Sequence, residues 1–388
     1  MFDPDRLKIY YERIFPFKLM FKWISYGKMV QRDHQSLMSL DDGTHSTYFH
    51  QREFCFTLAD DVYCRYLCFK NAEHFKQALI DKVPYKIDIG AVYNIAPDRH
   101  NASDKKAFVP MQKEMVFDID MNDYDDVRTC CQGANVCERC FVYLKMAMKV
   151  IQDTLQEDFD FSNLLWVFSG RRGIHAWVCD EDARAMTNEM RSAVVSYCNI
   201  GVGNENANRL VLDYPMHPRL RKSFEFLYPK FREAIIRDHN LLTIETHREK
   251  MLGFLPRTQN EELKNKVRLL WQNKLNAMLE GEHESTELWK IFTESYLKWK
   301  QEGKIKQNDL SIEALVLTYL YPRIDVNVST GINHLLKSPW CVHPKTGKFN
   351  QNSLFTELTI VFTAVQARSA FRSTRRIQMR STASECRP

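Results

Sequence analysis

The sequence lacks any apolar run that approaches the roughly 18 residues of a membrane-spanning helix. Its first residues, MFDPDRLKIYY, also lack the apolar segment of a secretory signal peptide. No internal repeat and no long low-complexity linker interrupts the chain, which argues against a repeat architecture. These absences predict a soluble intracellular protein with no membrane partner.

A strong excess of one charge is also missing. The 388 residues carry a formal net charge of +5, which is compatible with a polyanionic partner but does not require one. Most of the surplus lies from Asn350 onwards, where six arginines and two glutamates occur without a single lysine. Overall charge therefore does not decide between function classes, and local motifs must do so.

The hydrophobic pattern predicts a mixed α/β fold with ample material for a core. Residues 4–27 are expected to be helical with a break at Pro16, and another helix is expected over 136–157. Residues 183–318 are mainly helical in pattern and rich in charge, which suggests an inserted helical subdomain. Strands are expected at 52–58, 62–69, 85–93, 114–121, 164–169, 174–180 and 322–329.

The stretch MVFDIDM contains two acids one residue apart. On a strand, Asp118 and Asp120 project from the same face, close enough to share metal ions. Paired carboxylates of this kind hold the divalent ions of many phosphoryl-transfer enzymes. The alternative is a strand with one solvated polar face.

Four of the eleven cysteines cluster just after this strand. Cys130, Cys131, Cys137 and Cys140 fit a tetrahedral zinc site of four thiolates, which leaves no open position for a substrate. The cluster therefore predicts a structural Zn²⁺ that braces the segment after the acidic strand, whereas the alternative is four idle thiols.

Two apolar runs joined by Gly170-Arg171-Arg172-Gly173 have the pattern of a β-hairpin. The turn would display two guanidiniums, with Ser169 before them and His175 after them. Arginine forks match phosphate oxygens, so the hairpin is a candidate triphosphate site. The alternative is a solvated basic turn.

A late segment, YPRIDVNVSTGINHLLKSPWCVHPKTGK, alternates polar and apolar residues at its start. We expect a strand there with Arg323, Asp325, Asn327 and Ser329 on one face, which makes Asp325 a candidate third metal ligand. Lys337 and His343 follow in a segment that contains two prolines, and these two side chains are candidates for contact with phosphate.

Together, the motifs FDIDM, CC…C..C, SGRRGIHAWV and RIDVNVSTGINHLLKSPWCVHPKTG closely resemble those of the catalytic small subunits of eukaryotic DNA primases, in the archaeo-eukaryotic primase superfamily. The stretches YFHQREFCFTL, DDVYCRY and PYKIDIGAVYN extend the resemblance, which runs from about residue 3 to 348.

The resemblance implies roles for particular residues. It implies catalytic metal binding for Asp118, Asp120 and Asp325. It implies nucleotide binding for Ser169, Arg171, Arg172, His175, Lys337, His343, Glu53, Tyr63, Arg65, Lys86 and Asp88. It also implies structural zinc binding for Cys130, Cys131, Cys137 and Cys140.

The implied activity is the synthesis of short RNA primers from NTPs on a single-stranded DNA template during replication, in the nucleus. Two Mg²⁺ or Mn²⁺ ions and one structural Zn²⁺ are the implied cofactors. The implied partners are a large primase subunit and the DNA polymerase alpha complex. Two alternatives stay open: a repair primase–polymerase that prefers deoxynucleotides, and a catalytically impaired scaffold.

The resemblance and the pattern together suggest domain boundaries. Residues 1–190 form the first part of a catalytic core that includes the zinc knuckle at 130–140, and 191–318 form the helical insertion. The core then resumes over 319–348. Residues 29–45 resemble an insertion, and 349–388 depart from the family as an atypical tail, either disordered or from an alternative exon.

Overall fold

The structure is a computed structural model that describes residues 3–27, 47–102, 106–201, 210–256, 261–279 and 281–342. It confirms the mixed α/β class. Across the described ranges, no helix is long and apolar enough to cross a bilayer. The predicted insertion at 29–45, the tail at 349–388 and His343 lie outside the described residues.

The chain divides into two compact units. One is drawn from Met1–Asp118, Phe161–Val195 and Asp325–Pro388, and the other from Ile119–Asp160 and Ser196–Ile324. The boundaries expected near residues 190 and 318 remain a prediction.

The first unit contains the sheets. Its helices are α1 Pro4–Arg13, α2 Phe17–Ser25, α3 Thr47–His50, α4 Ala72–Lys82, α6 Glu181–Ala185, most of α7 Asn188–Cys198, and α13 Val326–Thr330. Its strands are β1 Arg52–Thr57, β2 Tyr63–Leu67, β3 Lys86–Tyr93, β4 Pro110–Gln112, β5 Met115–Asp120 (which continues into the second unit), β6 Leu164–Phe168, β7 Gly173–Val178 and β8 Leu336–Lys337.

The strands form two sheets. One has the order β2-β1-β3-β4 and adds β8 beside β3, and the other has the order β5-β7-β6. β1 and β7 are buried along their whole length, and β3 is buried from its second residue. Because β8 pairs with β3, with Lys337 opposite Asp88, the late segment is added to a sheet built from the first hundred residues.

The N-terminal helices pack on the first sheet, and the predicted break between them is found at Pro16. Asp3 caps α1 by accepting hydrogen bonds from Asp5 N and Arg6 N, and Pro16 occupies the cap position of α2. Their buried aromatic side chains join one hydrophobic core with β1, β3 and β7, represented by Tyr11, Phe21, Phe54, Ile89 and Trp177.

A buried ion pair joins β1 to the start of β5. The Arg52 guanidinium donates to both carboxylate oxygens of Glu114, at 2.9 and 3.0 Å, and both side chains are fully buried. Burial by itself raises the pKa of Glu114, but the Arg52 charge and hydrogen bonds from Arg52 and Tyr26 overcome that effect and lower the pKa from 4.5 to about 2.

Replacing Arg52 by methionine should therefore destabilise the fold by about 3–5 kcal/mol, because Glu114 is left as an unpaired buried charge. The folded-state pKa is depressed, so the stabilisation is present above pH 4.5 and is lost as pH falls toward 2. Urea unfolding of the parent and of Arg52→Met across that pH range should show that the difference in their free energies of unfolding becomes smaller in acid. Arg6→Met removes only the exposed pair with Asp3 and should cost about 1 kcal/mol or less.

The second unit is mainly helical. Its elements are α5 Phe141–Asp158, α8 Pro218–Lys230, a π-helix Phe231–Asp238, α9 Glu245–Leu252, α10 Glu262–Asn276, α11 Glu284–Gln301 and α12 Ser311–Leu320. The helix predicted over 136–157 is α5, preceded by a 3₁₀ turn at Glu138–Cys140. The helical pattern predicted for 183–318 is also confirmed.

The strand predicted over 322–329 is wrong, because Val326–Thr330 is the short helix α13. The Asp325 carboxylate accepts hydrogen bonds from Asn327 N and Val328 N and so starts the helix. The Ser329 hydroxyl then donates to the Asp325 carbonyl, one turn back. These local side-chain bonds override the alternating pattern, so the four polar residues from Arg323 to Ser329 do not share a strand face.

Candidate active site and metal centre

The two acids of the FDIDM motif lie at the end of β5. Asp118 and Asp120 are half-buried, while Val116, Phe117 and Ile119 around them are buried. The Asp120 carboxylate accepts a hydrogen bond from Asn122 N at 3.0 Å and so caps the 3₁₀ turn that follows. The strand thus ends with two carboxylates that alternate with core residues, as the period of two predicted.

Asp325 reaches this strand through the backbone. Its N–H donates to the Asp118 carbonyl at 3.0 Å, although the two residues are far apart in sequence. The Asp325 side chain is exposed, and its carboxylate caps α13. The structure therefore brings the late acid next to Asp118 by a helix cap at the end of a loop and not by a strand.

His175 comes from β7, which is the neighbour of β5 in the three-stranded sheet. Its Nε2 lies 3.5 Å from Oδ1 of Asp118, and the imidazole is almost fully buried. A buried ring at this distance limits the positions that the Asp118 carboxylate can take.

The β6–β7 hairpin has the predicted tight turn. Ser169 N donates to Gly173 O at 2.8 Å, and Gly173 N donates to the Ser169 hydroxyl at 3.0 Å. Gly170 has a φ of +88°, a conformation that favours glycine. Arg171 and Arg172 form the tip and are half-buried.

Lys337 joins the hairpin from the late segment. Its Nζ donates to the Ser169 carbonyl, and burial lowers the pKa of this lysine. The side chains of Arg171 and Arg172 on the turn and of Lys337 beside it thus place three cationic groups at one end of the hairpin.

The remaining predicted nucleotide-site residues lie on β1, β2 and β3, around two buried carboxylates. Arg65 is 3.0 Å from Glu53, and Lys86 is 3.0 Å from Asp88. The Tyr63 hydroxyl is 3.5 Å from Asp88. The side chains of Arg65 and Lys86 are partly exposed, whereas those of Glu53 and Asp88 are buried. Each pair therefore presents a positive charge to solvent that is held by a buried carboxylate.

Burial and the neighbouring Glu53 raise the pKa of the Cys55 thiol to about 12, so this cysteine stays protonated and is a poor nucleophile. The group on these strands is therefore suited to holding a ligand by charge and hydrogen bonds, and covalent chemistry at Cys55 is disfavoured.

Sequence reasoning missed two residues near this group. The Tyr93 hydroxyl donates to Glu53 at 3.2 Å from the end of β3, and Lys113 Nζ donates to the His334 carbonyl. For Tyr93 the signal was a polar-tipped aromatic at the end of an apolar strand. For Lys113 it was the charged pair Lys113-Glu114 directly before the buried run of β5, since buried charges need partners.

The four clustered cysteines lie together in the second unit. Their sulfur atoms are all within 4.8 Å of one another, and all four are free thiols. Hydrogen bonds within the cluster overcome the effect of burial and lower the pKa of Cys137, whereas burial and the same neighbours raise the pKa of Cys130 and Cys131, so the cluster favours one thiolate of the kind that metals bind. The cluster can therefore hold a structural metal ion such as zinc.

A buried arginine holds the loop between the two cysteine pairs. The Arg128 guanidinium donates to the Gly133 and Asn135 carbonyls at 3.2 and 3.0 Å, and it lies 3.6 Å from the Cys140 sulfur. Such contacts behind a metal ligand fix its orientation before the metal arrives.

Comparison with known proteins identifies the family. A sequence model of the DNA primase small subunit family matches residues 117–352. The DNA primase small subunit of Schizosaccharomyces pombe is 38% identical over 351 residues, covering 89% of this chain and 72% of the relative. Those of Drosophila melanogaster and Saccharomyces cerevisiae are 36% and 35% identical, covering 89% and 88% of this chain and 75% and 79% of the relatives. The chain therefore belongs to the DNA primase small subunit family.

Proposed function

We propose that this chain is the catalytic subunit of a primase that makes short RNA primers on single-stranded DNA. In each addition, the 3′-hydroxyl of the primer attacks the α-phosphate of an incoming ribonucleoside triphosphate, a new phosphodiester bond forms, and pyrophosphate leaves. The relatives are named small subunits, which supports a large primase subunit as a partner. We further propose work in the nucleus with the DNA polymerase alpha complex.

The observation that carries the proposal is the hydrogen bond from Asp325 N to the Asp118 carbonyl. It joins the late acid to the strand that carries the other two acids. In the same unit, Lys337 reaches the arginine hairpin and His175 reaches Asp118. Residues from three distant parts of the sequence thus meet at Asp118 and at the arginine hairpin.

The three aspartates have side chains that suit divalent ions. Carboxylate oxygens are the ligands that Mg²⁺ and Mn²⁺ prefer, and Asp118, Asp120 and Asp325 would hold them. Bound there, such ions would supply Lewis-acid stabilisation of the reacting phosphate and a lower pKa for the attacking hydroxyl.

The cationic side chains at the hairpin suit the phosphates that leave. Arg171 and Arg172 can each present a fork of N–H donors to phosphate oxygens, and Lys337 adds a point charge. Positioning and charge neutralisation would therefore supply most of the acceleration, without a covalent intermediate.

One feature favours ribonucleotides over deoxynucleotides. Oδ1 of Asp88 is buried and has no hydrogen-bond partner within the part of the chain that the structure describes. Its other oxygen is already occupied by Lys86. A buried acceptor of this kind suits a sugar hydroxyl, and an analogue without that hydroxyl would leave it unsatisfied.

Primer synthesis on poly-dT with labelled ATP and Mn²⁺, with and without a purified large subunit, tests the proposal directly. We expect short RNA products and a preference for ATP over dATP, and Asp88→Asn should reduce that preference. Absence of product under both conditions would reject the proposal in favour of a scaffold. A preference for dATP would instead support the repair primase–polymerase.

A further inference from the structure

The segment that carries Lys337 lies along β3 and is held at many points. We call residues 331–338 the return segment. Its Ile332 N donates to the Asn188 side chain at 2.9 Å, and its Ser338 N donates to the Ile87 carbonyl at 2.8 Å. Between these two ends, Leu336 and Lys337 pair with Ile89 and Asp88.

The return segment also lies very close to the sheet. A Cβ atom added at Gly90 would lie 2.9 Å from Leu335 Cδ2 and 3.0 Å from Glu53 Cβ. Only a residue without a side chain allows this approach. Gly90 therefore leaves room for the Leu335 side chain of the return segment to lie against β3.

Lys113 holds the return segment from another side. Its side chain comes from the link between β4 and β5 and is 1% exposed, and its Nζ donates to the His334 carbonyl. The lysine backbone is itself fixed, because Lys113 N donates to the Arg184 carbonyl and the Arg191 guanidinium donates to the Lys113 carbonyl. Backbone hydrogen bonds therefore fix the position from which the Lys113 side chain reaches His334.

A buried ammonium is a costly choice if stability is the only requirement. Its hydrogen-bond acceptor is a carbonyl and not a carboxylate, and burial lowers the pKa of Lys113 to about 7. An apolar side chain of similar size would avoid the desolvation cost. The lysine therefore costs stability but provides a directed bond to His334.

The bond has a short path to the proposed triphosphate site. The His334 carbonyl is three residues before Lys337, whose Nζ reaches the Ser169 carbonyl at the arginine hairpin. A displacement of the return segment at His334 would be transmitted along this path to Lys337. Shifts of about 1 Å in a positioning group can cost up to about a hundredfold in rate.

We propose that Lys113 is a positioning residue for nucleotide binding, which acts through the His334 carbonyl to hold Lys337 against the hairpin. This inference rests on the proposed function, because it assumes that Lys337 contacts the triphosphate. Lys113 itself need not touch the nucleotide.

The test is a double-mutant cycle on the full chain with its large subunit, with Lys113→Met, Lys337→Met and both changes together. The dissociation constant for ATP is measured in the presence of Mg²⁺, and melting temperature and primer synthesis are followed in parallel. We expect Lys113→Met to weaken ATP binding about tenfold, within the cost of a displacement of about 1 Å in a positioning group. Its melting temperature should be unchanged or higher, because a buried ammonium is removed.

In the Lys337→Met background, Lys113→Met should add less than about twofold, since both changes then act on one interaction. Equal weakening in both backgrounds would overturn the inference, as would unchanged ATP binding in Lys113→Met. Lys149→Met, which removes an exposed lysine of α5, should leave ATP binding unchanged. Because ATP binding does not require catalysis, primer synthesis by the unmodified protein reports separately on the proposed function.

Discussion

Replacing Asp325 by asparagine is expected to abolish primer synthesis while leaving the protein folded. Asparagine caps a helix about as well as aspartate does, so the hydrogen bonds to Asn327 N and Val328 N that start α13 are retained. The negative charge that we propose for binding a divalent ion is lost. Metal ions supply several kcal/mol of transition-state stabilisation, so kcat should fall by roughly a thousandfold or more.

Two further variants make the result specific. Asp325→Ala removes both the cap and the charge, so it should lose the same activity and about 1 kcal/mol of stability as well. Asp182→Asn changes an exposed aspartate of α6 and should keep full activity. Primer synthesis and urea unfolding are measured for all three. An Asp325→Asn protein that keeps more than about a tenth of the parental rate would contradict the assignment.

Loss of a metal ion held by the cysteine cluster should have the second large effect, this time on stability. A structural zinc ion contributes folding free energy directly, and Cys140 is the fully buried member of the four ligands. Replacing it by serine, or treating the protein with a strong chelator, should remove several kcal/mol. For a unit of this size the melting temperature should then fall by more than about 10 °C.

Cys68→Ser is the matched control, because it changes a half-buried cysteine outside the cluster. It should lower the melting temperature by only a few degrees. Native mass spectrometry should find one zinc ion in the parent and in the control, and none in Cys140→Ser. A parent protein that folds and melts normally without zinc would refute the structural role.

The sequence predicted the parts of the site that depend on short, regular patterns. The alternation in β5 correctly puts Asp118 and Asp120 between core residues, and the paired glycines predicted the hairpin turn around Arg171 and Arg172. The cysteine spacing likewise predicted the four-sulfur cluster. In each case the pattern that gives the prediction spans only a few consecutive residues.

Long-range contacts were not predictable in the same way. The alternation around Asp325 looked like a strand, but local capping bonds make a helix, and only the fold shows its bond to Asp118. The roles of Lys113 and Tyr93 depend on partners far away in sequence, at His334 and Glu53. No pattern within one segment encodes such partners.

The division of the chain also has a consequence for biosynthesis. In sequence, the two stretches of the second unit alternate with the three stretches of the first, and its last residue, Ile324, leaves the ribosome before Asp325 and the return segment do. Domains commonly begin to fold as soon as their residues emerge. All residues of the helical unit are therefore synthesised before β8, the late strand that pairs with β3. The residues of the first unit from Asp325 onwards are therefore added to a chain whose helical unit is already complete.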